Sequence, residues 1–139
     1  MNVPFAVAGA LALTAAAIHG GAGETLVVKR LRRDTLEPTP FGGPTMTLLM
    51  IRVTWHIVTL VFIVSGGALA VCMPASSATQ ACAAAGRISA VSFASYFVLA
   101  AGLAIAAQGR RVGHALAKHP GPIVFMIVAA LSWWGSSGN

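Results

Sequence analysis

The sequence predicts an all-α integral membrane protein: a four-transmembrane-helix, up-down bundle with both termini outside, on the side away from the cytoplasm. Three observations carry that expectation. Of the 139 residues, 57% are hydrophobic and only 9% are charged, whereas soluble domains carry about a quarter charged residues; this chain has too few charges to cover a water-facing surface. The apolar residues fall in long blocks, and about 20 such residues in a helix cross the hydrocarbon of a bilayer. The basic residues gather in the connections between the blocks, which sets an orientation.

A single transmembrane domain is expected over residues 1–139, with helices at about 3–29, 45–71, 87–107 and 119–134. The first begins near Val3 and runs toward Lys29. It has no Lys or Arg before it and the run KRLRR after it, the reverse of a cleavable signal peptide. It is therefore expected to stay as a helix. Its alanines, with Ala6, Gly9 and Ala10, form a thin wall that a neighbouring backbone can approach. The run Gly20-Gly21-Ala22-Gly23 is conformationally loose. It suits a kink, a close crossing or a point where a ligand meets backbone.

Basic residues open the first connection, and Pro38, Pro40, Gly42, Gly43 and Pro44 then break regular structure. The second helix is rich in β-branched and large residues from Ile57 to Val64, with Ser65, Gly66 and Gly67 as a small patch. A polar segment containing Cys72 and Cys82 follows. On the third helix Ser92, Ser95 and Tyr96 share a face, suited to hydrogen bonds between helices or to the lining of a small cavity. The fourth starts near His119 or Pro120; prolines suit a first turn, and Trp133 and Trp134 suit an interface.

Eight of the nine Lys and Arg residues fit one side: Lys29, Arg30, Arg32, Arg33, Arg52, Arg110, Arg111 and Lys118, leaving Arg87 at the opposite end. The positive-inside rule then puts loops 30–44 and 108–118 in the cytoplasm and loop 72–86 outside, in a bacterial-type inner (plasma) membrane. The outside loop holds both cysteines, and an oxidising compartment favours a Cys72–Cys82 disulfide. Soft-metal binding by Cys72, Met73 and Cys82 is the competing reading. The net charge of +6 lies in these connections and forms no nucleic-acid face. It fits anchoring against anionic lipid, so the expected partner is the bilayer and not nucleic acid.

Four ionisable residues lie within the apolar sequence: His19 and Glu24 on the first helix, Arg52 and His56 on the second. Such groups are costly in a membrane unless paired or wetted, and so mark candidate sites. Measured from the outer ends of their helices, His19 lies about 24 Å deep and His56 about 22 Å. Glu24 and Arg52 come out at about 32 Å and 28 Å on the same rise per residue. The expectation is a His19/His56 layer above a Glu24/Arg52 layer. Read structurally, the polar layers stitch two helices together. Read as a site, His19, His56, Arg52 and Glu24 bind a cofactor: haem b held axially by the histidines with Arg52 at a propionate, or a transition metal with Glu24 as third ligand. His114 and His119 lie on the same side and would extend the cluster. Two further readings are a proton or small-solute path through His19, His56 and Glu24, and a quinone or anionic lipid head near Arg52, Trp55, His114 and Lys118.

No glycine-rich phosphate loop, HExxH, CxxC or nucleophile elbow is present in the sequence. The expected role is non-enzymatic: an accessory or interaction subunit, or a small-ligand binder, in a homo-oligomer or larger membrane complex. The alternative is a haem- or metal-binding redox component, or a transport component using the two polar layers.

Overall fold

The computed structural model describes residues 1–37, 39–40, 42–74, 79–108, 113 and 120–137; for Ala107 and Gln108 it gives backbone only. The protein is all-helical. In chain order it has α1 (Val3–Ala17), a π-helical turn (Ile18–Gly23), α2 (Glu24–Leu26), two 3-10 turns (Val28–Arg30 and Arg33–Thr35), α3 (Pro44–Cys72), α4 (Gln80–Gln108) and α5 (Gly121–Ser136). Among the described residues, three stretches are long and apolar enough to cross a membrane: Val3–Arg30, Pro44–Cys72 and Gln80–Ala106. At 1.5 Å per residue, the 16 residues of α5 reach about 24 Å, short of the roughly 30 Å of a hydrocarbon core.

Large apolar side chains point outward along these helices: Val64 is 68% exposed, Val71 80% and Leu103 71%. In water this surface would be an aggregation liability; in lipid it is the contact surface. The membrane-spanning helices are therefore read from both length and outward face.

The chain divides into two compact units, Met1–Ala12 with Ser65–Asn139, and Leu13–Val64. In the first, α4 and α5 make the most extensive pairing, centred on the rings of Phe93, Tyr96 and Phe125, whose centroids lie 5.9–6.2 Å apart. Tyr96 thus joins an aromatic cluster. Ser95 donates to its own helix, to the Val91 carbonyl at 2.9 Å, and does not reach across helices with that proton.

Asn2 ties the amino terminus into this unit. Its Oδ1 accepts the Phe5 N–H at 3.1 Å, which caps α1. Its Nδ2 donates to the Gly135 carbonyl at 2.9 Å, and its backbone N–H donates to the Met73 carbonyl at 2.9 Å. Phe5 is fully buried in a slot that exists because residues 86 and 135 are glycines; a Cβ at Gly86 would come within 2.8 Å of the Phe5 ring, and one at Gly135 would also collide with it. Gly9 makes a second close approach, its side facing the Gly66 carbonyl.

Cys72 and Cys82 form a disulfide, with Cα atoms 5.5 Å apart. α4 begins at Gln80, seven residues before the expected Arg87. The cause is local. Thr79 Oγ1 accepts the Cys82 N–H at 3.2 Å and caps the helix. The alanine-rich stretch behind it, Gln80-Ala-Cys-Ala-Ala-Ala, has high helix propensity. The bridge therefore joins the last residue of α3 to the first turn of α4.

In the second unit, the breaker-rich connection closes in a tight turn. Thr39 and Gly42 exchange backbone hydrogen bonds at 3.0 Å. Gly42 sits at φ 147°, a conformation that glycine tolerates and L side chains do not.

Candidate functional site

The site lies in the unit Leu13–Val64, where the end of the first helical stretch crosses the first half of α3. Contacts run in opposite chain directions: Gly20 lies against Thr59, Gly23 against Trp55 and Glu24 beside His56. These segments are antiparallel.

His19 is the centre of the crossing. Its ring stacks on the Trp55 indole, centroids 4.0 Å apart and planes 14° from parallel. The edge of Phe62 closes another side at 5.6 Å. His19 Nδ1 bonds Thr59 Oγ1 at 2.9 Å, and the Trp55 indole N–H donates to the His19 backbone carbonyl at 3.0 Å.

The Thr59 hydroxyl also lies 3.2 Å from the Trp55 carbonyl. A carbonyl only accepts, so both Thr59 bonds form together when the hydroxyl donates to that carbonyl and its oxygen accepts from His19 Nδ1–H. In that tautomer of the neutral ring, Nε2 carries a bare lone pair.

The glycines explain how the two segments come so close. A Cβ at Gly20 would stand 2.7 Å from Thr59 Cγ2, and one at Gly23 would overlap the Trp55 ring. Gly21 faces open space. Of the three uses open to this run in the sequence, the close crossing is the one seen. The backbone takes it as a π-helical turn over Ile18–Gly23, a form that occurs mostly as single turns inside helices and often at functional sites.

Beside this lock lies an ionisable pair. His56 Nε2 is 3.8 Å from Glu24 Oε2. That distance allows an ion pair when the imidazole is protonated but is too long for a hydrogen bond. Glu24 Oε2 is enclosed and has no hydrogen-bond partner among the described residues. Glu24 thus meets His56, not Arg52 as expected, and His19 bonds Thr59, not His56. Arg52 is exposed and makes no ion pair among the described residues. A long stem lets such a group reach an interface. His114, His119 and Lys118, expected nearby, lie outside the described residues.

As cofactor ligands, His19 offers Nε2, while His56 has its Nε2 turned toward Glu24. Among the described residues, no three His, Cys, Asp or Glu side chains converge as a metal-binding group. An open cleft of about 370 Å³ adjoins the lock, lined by His19, Met50, Ile51, Thr54, Trp55 and Val58. Sequence reasoning missed Thr59 as a partner. The available signal was position: Thr59 follows Trp55 by one turn on the same face of α3.

Comparison with protein-family models, with curated proteins and with solved structures finds no match for this chain. The functional reading therefore rests on the geometry above.

Proposed function

We propose that this protein is a non-enzymatic accessory or interaction subunit of a bacterial-type inner membrane. The carrying observation is the use made of the intramembrane polar groups. His19 Nδ1, the Trp55 N–H and the Thr59 hydroxyl join two helical segments, which is how polar side chains act between membrane helices. The outward apolar faces supply surface for lipid and for neighbouring subunits. The proposal includes four spans, with α5 as the fourth, both termini outside, loops 30–44 and 108–118 cytoplasmic and loop 72–86 outside. The basic turn at Lys29–Arg33 and the oxidised Cys72–Cys82 bridge support that orientation.

The test is mild extraction of tagged protein from its membrane, followed by mass measurement and crosslinking. A stoichiometric complex, with a second copy or with a larger partner, is expected. A monomer that captures no neighbour in the intact membrane would sink the accessory role. Reporter fusions after residues 37 and 139 test the orientation, the first being expected active on the cytoplasmic side and the second outside.

A second reading has its own observation. The enclosed, unpartnered Glu24 oxygen beside His56 supports a proton-carrying step through Glu24, His56 and His19. Proton flux into vesicles, lost on Glu24→Gln, is the expected signature; equal flux in both would exclude it. The haem or metal reading keeps His19 and His56 as ligands. An absorbance spectrum with metal analysis on protein from iron-supplied cells tests it.

A further inference from the structure

We propose that the cleft beside His19 binds a bilayer-dissolved aromatic alcohol of the hydroquinone class, whose hydroxyl donates to His19 Nε2. This site does not depend on the accessory role.

The choice of a donor follows from the hydrogen-bond accounting. In the tautomer that satisfies both Thr59 bonds, neutral His19 presents Nε2 as an acceptor. Nε2 makes no hydrogen bond to a described residue, and it is not one of the enclosed polar atoms. His19 itself lines the open cleft. In hydrocarbon an acceptor has no water to satisfy it, so a donor there is favoured. A ligand offering only carbonyl oxygens, such as a quinone, leaves the lone pair unmatched.

The choice of an aromatic body follows from the rest of the lining. Trp55 brings a ring surface and Met50 a polarizable thioether, both favourable against a flat ring. Ile51 and Val58 give apolar walls, and Thr54 adds one hydroxyl. The cleft volume falls in the range of small-molecule sites, which are mostly apolar with a few placed polar groups. Leu49 and Val53, next in sequence to the lining residues Met50 and Thr54, carry outward apolar side chains, a surface suited to lipid. His19 is pre-set for this role: its ring is held by stacking, by an edge contact and by Thr59 before any ligand arrives.

The experiment uses the full chain, labelled with ¹⁵N-histidine, in lipid nanodiscs. Three probes share one decyl chain: the hydroquinone kept reduced, its quinone, and its dimethyl ether. His19→Gln identifies the His19 signals by their loss. The hydroquinone is expected to shift the His19 Nε2 resonance saturably. The quinone and the ether, which cannot donate, are expected to bind roughly tenfold more weakly, the worth of one hydrogen bond. Val58→Trp should fill the cleft and abolish the shift while leaving the Nδ1 resonance, which reports the Thr59 bond, in place. No saturable shift with hydroquinone, or equal shifts with all three probes, would overturn the proposal. So would preference for the quinone, or hydroquinone binding that survives Val58→Trp.

Discussion

The Trp55 indole meets His19 twice: its N–H donates to the His19 carbonyl at 3.0 Å, and its face stacks on the His19 ring at 4.0 Å. The two contacts should separate by mutation. Trp55→Phe keeps an aromatic face and loses the donor, at a cost of about 0.5–1.5 kcal/mol, as for other hydrogen bonds between membrane helices. Trp55→Ala loses both and should cost about 3 kcal/mol or more. Reversible unfolding in bicelles measures each. Equal losses would show that the face contributes nothing.

The glycine run predicts a position-specific pattern. Gly23→Ala drives a methyl into the pinned Trp55 ring, and Gly20→Ala crowds Thr59; each should destabilise by about 1–3 kcal/mol, the usual cost of overpacking. Gly21→Ala meets nothing within 4 Å and should be neutral or stabilising by up to about 1 kcal/mol. The same unfolding assay ranks the three. A flat response across the run would mean that the crossing is looser than the structure has it.

Glu24 should couple to His56 and not to Arg52. A double-mutant cycle with Glu24→Gln and His56→Gln should give a coupling of about 0.5–1 kcal/mol, the low end for groups in contact. The cycle with Arg52→Gln should give a value near zero. A larger coupling to Arg52 would reverse the assignment.

Removing the bridge with Cys72→Ser and Cys82→Ser together should lower stability by about 2–3 kcal/mol, on the chain-entropy account of a loop of ten residues' separation. Thiol counting on denatured, unreduced protein should find neither sulfur free. Unchanged stability in the double variant would place the constraint elsewhere, for instance in the Thr79 cap.

Composition and charge made the apolar helices legible, and the shared connection made the Cys72–Cys82 bridge legible. Depth was legible too: His19 does lie level with the 55–59 turn of α3. Azimuth was not. Counting residues gives height along a helix but not which of two neighbours faces inward, so Thr59 and Trp55 took the contacts assigned to His56. Glu24 shows a second effect. Helical side chains lean toward their own amino terminus. In an antiparallel pair, Glu24 and His56 lean toward each other, while Arg52, a turn nearer the start of α3, leans away. The early start of α4 was legible in principle, through Thr79 and the alanines after it. The polar character of the preceding segment concealed it. Asn2 directly before an apolar run is a capping signal, but its bond to Gly135 depends on tertiary packing that no local pattern contains.

That bond has a consequence for assembly. Asn2 is tied to Gly135, 133 residues further along the chain, and Phe5 fits only between Gly86 and Gly135. The Phe5 side of the first helix therefore stays unmatched until the segment around Gly135 has been made. Loss of that segment should leave the Asn2 end open to proteases or to insertion-assisting chaperones.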